Sequence, residues 1–198
     1  LDTLNLVKDI LGMDSTDSLI PGGRYHHRRD YMNFPNLKNT GLQYDKVDPV
    51  NIPGLSLEKS IIKAVDKKDF LLYTPYHSFS YLIKFLREAA LDPEVTTIKI
   101  TIYRLSKLSN VASALINAVK NGKKVLVQIE LQARFDETNN IIYAEKMEAS
   151  GVQLIFGIPG LKVHSKIGLI EKTVNGKKKR YGFISTGNFN EDTAKIYT

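Results

Sequence analysis

The 198 residues carry 28 Lys and Arg against 21 Asp and Glu, a formal charge of +7, with 42% hydrophobic and 25% charged residues. This is the balance of a soluble globular protein with one good core and part of a second unit; it favours anionic partners, although a solvated basic surface is the commoner meaning of so modest an excess. With no cysteine, a disulfide framework and thiolate metal sites are excluded. No run of about eighteen apolar residues offers a membrane span, and the opening LDTLNLVKDILGMD lacks the basic front and apolar stretch of a signal peptide. A cytoplasmic protein in a reducing compartment is expected.

Leu1 to Gly12 has helical apolar spacing at Leu4, Val7 and Leu11, followed by Pro21, paired glycines and the loop-like RRDYMNFPNLKN. His26 and His27 lie in this Arg-rich stretch and read as solvated or packing residues. So apolar-poor a first quarter is not expected to fold alone. From Asp48 a regular alternation begins. DFLLYTPY reads as a strand, SFSYLIKFLREAAL as a helix with Ser78 or Ser80 near its cap, and TTIKITIYR as a second strand. SNVASALINAVKNG is a helix closed by Gly122, KKVLVQIELQAR a third strand, and NNIIYAEKMEASG a helix closed by Gly151. VQLIFG is a further strand, Pro159 and Gly160 a turn, and KVHSKIGLIEK and KRYGFIST form a hairpin about VNGKK. The alternation predicts an α/β fold: a mixed, largely parallel sheet flanked by helices and ending in an antiparallel hairpin. The chain begins at Leu1 without methionine and stops directly after TAKIYT, and is expected to be an excerpt from a longer protein.

Polar residues recur at the strand ends: His77 in TPYH, Arg104 in IYR and Arg134 in LQAR. The carboxyl ends of parallel strands face the ligand crevice, so the two arginines can converge on one site. The bland alternative pairs each with a nearby acid such as Asp136 or Glu137. His77 reads first as local structure near a helix cap. In GLKVHSKIGLI, His164 and Lys166 are two apart and share one face of a strand; an edge strand showing both to water is the simpler account of that pair alone. The next strand, however, ends in Ser185, Thr186, Gly187 and Asn188, a compact turn whose N–H groups can meet an anion. If the strands pair, an imidazole, an ammonium, a carboxamide and this turn lie together. The set suits phosphoryl chemistry, with imidazole as nucleophile and Lys and Arg on the phosphate oxygens.

His-x-Lys followed by STGN resembles the half-site of the phospholipase D superfamily, whose histidine forms a phospho-enzyme. The wider strings TIYRLSKLS, NGKKVLVQIELQARFDE, IPGLKVHSK and RYGFISTGNFNEDTAKIYT are similar, far more specifically, to the polyphosphate kinase family. The resemblance implies that 1–49 is the end of a preceding head domain with its linker, and 50–198 the first phospholipase D-like catalytic domain, cut at its C-terminal end. It implies reversible transfer of the terminal phosphate of ATP to long-chain polyphosphate through a phosphohistidine, with Mg2+. His164 matches the phosphorylated position and Lys166 is its electrostatic partner. Arg104 and Arg134 match magnesium-associated positions; because arginine has no lone pair for a metal, they are read as phosphate clamps. Tyr197 matches a nucleotide-contacting position, and Asn188 and Thr186 are added from the turn as oxygen binders.

The chain departs from the superfamily at Glu171, where the wider pattern has Asp, and at Ser185, where the turn has glycine. The family's second catalytic domain and nucleotide-contacting amino-terminal domain are not within these residues, so the piece is expected to be inactive alone. Implied partners are ATP or ADP, polyphosphate, the remaining domains and further copies in a homo-oligomer, with no nucleic acid; peripheral membrane association is an open option. Two alternatives are a phosphodiesterase or phosphatidyltransferase of the same superfamily, and a non-enzymatic basic module that binds polyanions.

Overall fold

A computed structural model describes residues 2–22, 41, 45, 47–133, 137–158 and 160–196. The chain divides into two units, Leu1–Lys46 and Val47–Thr198. In the first, helix α1 (Asp2–Leu11) forms where the apolar spacing puts it, and Leu4, Val7 and Leu11 stay exposed. His26 and His27 lie outside the described residues.

The core belongs to the second unit. A short helix not foreseen in the sequence, α2 (Ile61–Val65), is capped by the Ser60 hydroxyl, and Glu88 of α3 (Ser80–Leu91) accepts hydrogen bonds from its first N–H groups, those of Ile61 and Ile62. Strands β1 (Val95–Ile102), β2 (Lys124–Ile129) and β3 (Gln153–Phe156) run parallel. They are linked by α4 (Asn110–Lys120) and α5 (Glu137–Ala149). Strand β4 (Ile167–Val174) lies antiparallel on the other side of β1, and β5 (Lys177–Ile184) antiparallel to β4, giving the order β3-β2-β1-β4-β5.

Because β1, β2 and β3 step in one direction, right-handed crossovers place α4 and α5 on the same face. Side chains alternate accordingly. Ile98, Ile100, Ile102, Val125, Val127 and Ile129 are buried in one cluster with Leu115, Ala118, Ala144 and Met147 of the helices, whereas Lys99 and Lys124 are exposed. The α/β class, the mixed sheet, the flanking helices and the final hairpin are as expected. The hairpin turns at Asn175 and Gly176, both at positive φ (49° and 75°), the two-residue geometry that follows the strands' own twist.

Two expected strands differ. DFLLYTPY joins no ladder; its sheet-like link among the described residues is an isolated bridge between Val50 and His77. Phe70 and Leu72 pack on the core while Leu71 and Tyr73 stay exposed, so the apolar alternation is satisfied by burial of one side without a backbone partner. An apolar cavity of about 330 Å3, lined by Phe70, Leu72, Phe79, Phe85 and Phe183, lies between this segment, α3 and β5. His77 closes the local turn, its Nδ1 accepting from the Tyr73 N–H at 3.0 Å and its own N–H donating to the Tyr73 carbonyl at 2.8 Å. The strand expected from Lys162 begins only at Ile167, since β1 ends at Ile102 and the preceding residues have no strand left to pair with.

Phe183 of β5 lies opposite Gly168 of β4, where a Cβ would fall 2.1 Å from the phenyl ring. The ring meets Phe85 of α3 and Phe189 edge-on, at centroid distances of 5.8 and 4.9 Å. The missing side chain at Gly168 thus admits the ring that joins the sheet to α3 and to the segment after β5. Gly168→Ala is expected to destabilise the unit by about 1–3 kcal/mol through overpacking; an unchanged urea midpoint would show that the ring can move aside.

Candidate active site at the strand ends

Strands β1 and β2 run out together at Ile102 and Ile129, which are register partners. Strand β4 starts, and β5 ends, at the same edge, where Ile167 pairs with Ile184. Antiparallel insertion of β4 therefore puts the residues before it beside those after β1. This brings together Tyr103 and Arg104, Glu130, His164 to Lys166, and Ser185 to Asn188.

Residues 162–166 are held by side chains and by the neighbouring strand. The Thr101 hydroxyl donates to the Ser165 carbonyl at 2.7 Å and accepts from the Ile167 N–H at 3.1 Å. Glu130 accepts from the Val163 N–H at 3.0 Å, and the Ser185 N–H donates to the Lys166 carbonyl at 2.9 Å. His164 is exposed and Lys166 only 6% exposed, so the two do not share an environment as a regular strand would have them do. Their ends nevertheless meet. Lys166 Nζ lies 3.2 Å from His164 Nδ1 and donates to the His164 carbonyl at 2.6 Å. While Lys166 is protonated, Nδ1 is the acceptor and a neutral ring carries its proton on Nε2.

Tyr103 is the floor of the cluster. Its ring stands edge-on to His164 at 5.4 Å, with Lys166 Nζ and the Arg104 guanidinium each 5.4 Å from its centroid. Burial pushes the Lys166 ammonium below the ordinary lysine range, and the Arg104 charge pushes it further down. Among the described residues no carboxylate is ion-paired to Lys166, whose ammonium lies next to an accessible imidazole.

The turn after β5 is adjacent through the Ser185 bond, which takes up one N–H expected to face an anion. Thr186 is exposed and Asn188 half-buried. Arg134 and Tyr197 lie outside the described residues. Glu171 sits within β4, paired with Arg180 at 3.3 Å and Lys99 at 3.8 Å, in a surface ion cluster.

Sequence reasoning passed over Thr101, Tyr103, Glu130 and Asn140. Asn140 is fully buried, and its amide bonds the Leu105 N–H and the Tyr103 and Glu130 carbonyls at 2.9, 2.8 and 2.7 Å. The available signal was an acid and an amide at positions facing the core.

A family model described as polyphosphate kinase C-terminal domain 1 matches residues 60–198. The chain belongs to the polyphosphate kinase family. A polyphosphate kinase of Yersinia pestis is 44% identical over 197 residues, covering 100% of this chain and 29% of its own length. That of Escherichia coli K12 is 44% identical over 199 residues, covering 98% and 29%. The crystal structure of polyphosphate kinase from Porphyromonas gingivalis superposes with a TM-score of 0.72 at 39% identity, over 90% of this chain and 30% of that one. This polyphosphate kinase segment thus spans about three tenths of its relatives' length.

The described donor set does not by itself enclose a metal. Among the described residues no three His, Asp or Glu side chains gather around a common point, and both oxygens of Glu130 already accept backbone N–H groups, from Gln132 and Val163. Magnesium commonly keeps several waters and is held by one or two carboxylates together with substrate phosphates. No helix among the described residues is long and apolar enough to cross a membrane.

Because Arg104 is one cause of the low Lys166 affinity for protons, Arg104→Ala is expected to raise it. Lysine Nζ chemical shifts followed through an alkaline titration should then show Lys166 holding its proton to higher pH than in the parent. A midpoint that stays or falls would remove Arg104 from the cluster's electrostatics.

Proposed function

We propose that this segment supplies one half of the catalytic site of a polyphosphate kinase, with His164 as the group that carries phosphate. The observation that supports it most is an accessible imidazole with an ammonium 3.2 Å from its Nδ1, an ammonium ion-paired to no carboxylate among the described residues. In the first half-reaction a ring nitrogen with a free lone pair attacks the terminal phosphorus of ATP. The N–P bond forms as the bond to the β,γ-bridging oxygen breaks, and ADP leaves with that electron pair. In the second, a terminal oxygen of polyphosphate attacks the phosphohistidine, the N–P bond breaks, and the chain is one phosphate longer. Both halves are reversible.

Lys166 has two parts in this reading. Phosphate oxygens compete for its ammonium, drawing it from Nδ1, and the same ammonium then stabilises charge on the transferring group. Arg104, with Arg134, clamps non-bridging oxygens, for which a planar two-pronged donor is suited. Asn188 and Thr186 bind oxygens from the turn after β5, and Tyr197 contacts the nucleotide. Magnesium, if required, would be brought by the nucleotide as its counter-ion and would supply further charge stabilisation, with Arg104 and Arg134 acting on the phosphate and not on the metal. The architecture is read as a phospholipase D-like half-site, 1–49 as the end of a head domain and 50–198 as the first catalytic domain. The whole enzyme is taken to be cytoplasmic, to contact membranes at most peripherally and to assemble with its own copies; polyphosphate and nucleotide are its ligands, nucleic acid is not.

The test uses the whole enzyme with terminally labelled ATP. Wild type is expected to give an acid-labile phospho-protein and His164→Gln none, with synthesis of polyphosphate falling by more than about 10³-fold, as for loss of a covalent nucleophile. Equal labelling of both would end the assignment. Cleavage of a phosphodiester without ATP would move the reading to a phosphodiesterase. Residues 1–198 alone are expected to make no polyphosphate, and measurable synthesis by them would refute the half-site reading.

A further inference from the structure

Resting on the function proposed above, we infer that Asn140 and Glu130 form a positioning relay that fixes Arg104 and His164 relative to each other. Asn140 lies in α5, fully buried. Its Oδ1 accepts from the N–H of Leu105 at 2.9 Å and its Nδ2 donates to the carbonyl of Tyr103 at 2.8 Å. Those residues flank Arg104, so one carboxamide grips the backbone on both sides of the guanidinium-bearing residue. The second Nδ2 hydrogen goes to the Glu130 carbonyl at 2.7 Å.

Glu130 continues the connection. Its N–H donates to the Ile102 carbonyl at 2.9 Å, extending the β1–β2 pairing by one residue. The residue is 7% exposed, and its carboxylate accepts from the N–H of Val163 at 3.0 Å and from that of Gln132 at 2.9 Å. Val163 directly precedes His164. A chain of side-chain and backbone bonds thus runs from the segment carrying Arg104, through Asn140 and Glu130, to the segment carrying His164, and also holds the start of the 130–133 segment that leads to Arg134.

The chemistry of the pair fits this use better than packing. A buried amide and a buried carboxylate are costly unless satisfied, and here five bonds to backbone from two side chains all fall on segments that leave the sheet at one end. An apolar pair would fill the space and leave those segments without fixed spacing. Neither side chain is placed to touch phosphate; both act through Arg104 and His164.

In the whole enzyme, single-turnover labelling by terminally labelled ATP, steady-state KM for ATP and melting temperature are measured together. Asn140→Leu is expected to slow labelling by roughly 10²-fold, the cost of about 1 Å of misplacement, and to raise KM. In an Arg104→Ala background it should cost little more, because the residue it positions is gone. Glu130→Gln, which keeps the volume but turns one acceptor into a donor facing an N–H, should slow labelling by about 10-fold with KM for ATP unchanged, since it acts on the His164 side. Met147→Ala, a core substitution in the same helix, provides the stability control.

Additive costs for Asn140→Leu and Arg104→Ala, or equal slowing by Met147→Ala at a matched loss of melting temperature, would overturn the relay. Should Asn140→Leu fail to fold, Glu130→Gln decides, and labelling at the wild-type rate would overturn it. A wild-type enzyme that never labels on His164 would remove the functional reading and the relay with it; labelling of wild type with an additive cycle removes the relay alone.

Discussion

The site depends on the direction in which β4 enters the sheet. Antiparallel pairing with β1 brings its first residue, Ile167, to the end where β1 and β2 stop. Parallel insertion of the same eight-residue strand would carry His164 and Lys166 about 26 Å away at the usual rise per residue. Where the two strands part, one hydroxyl takes over from the ladder: Thr101 Oγ1 holds the Ser165 carbonyl and the Ile167 N–H across 64 and 66 residues of sequence. Two backbone positions around Lys166 are thereby pinned to β1, and Tyr103 and Arg104 follow from the same strand two and three residues later. The histidine, the lysine and the arginine are neighbours because two strands end together and a threonine extends their grip.

The two ends of β4 show what this placement costs. Lys172, within the strand, bonds Asp92 at 2.6 Å and Glu94 at 2.9 Å, and those acids raise its proton affinity above the ordinary lysine range despite partial burial. Lys166, just before the strand, is buried with an arginine nearby and its affinity is lowered. A lysine serving only the fold gains from acid partners, as Lys172 does. One held without them is a standing electrostatic liability, only partly offset by the His164 carbonyl and the Tyr103 ring, of the kind that marks functional sites more often than structural ones.

The fold was legible wherever burial is periodic. The helical spacing in SNVASALINAVKNG and the β-branched runs of β1 and β2 have no competing reading, and Gly122 and Gly151 follow helices that end where expected. DFLLYTPY misled because alternation reports which side is buried and not whether the backbone has a partner; Phe70 and Leu72 bury themselves without one. For the site, His164, Lys166 and Arg104 were legible as charged or polar residues at ends of apolar runs, and their contact follows once β4 is antiparallel. Tyr103 was not, since a tyrosine closing a strand has an ordinary packing explanation. Nor could the sequence reveal that Lys166 would be buried while His164 stayed accessible, which depends on how the chain leaves the ladder.

Tyr103 apart, the residues that escaped sequence reasoning have one physical property in common. Thr101, Glu130 and Asn140, together with Glu191, are polar side chains bonded to backbone far away in sequence. Glu191 accepts from the N–H groups of Asn110 and Val111 at 2.5 and 3.2 Å and from the Ser106 hydroxyl at 2.7 Å, which ties the segment after β5 to the start of α4. The loops at this end are therefore shaped by side chains from other elements as well as by their own turn chemistry, such as the Asn190 side chain that accepts from the N–H groups of Asp192 and Thr193. Such a site forms only when the whole α/β unit has formed, and the bonds that shape it lie inside Val47–Thr198. The arrangement of His164, Lys166 and Arg104 is thus a property of the folded unit as a whole, built from contacts within Val47–Thr198 and not from any one loop.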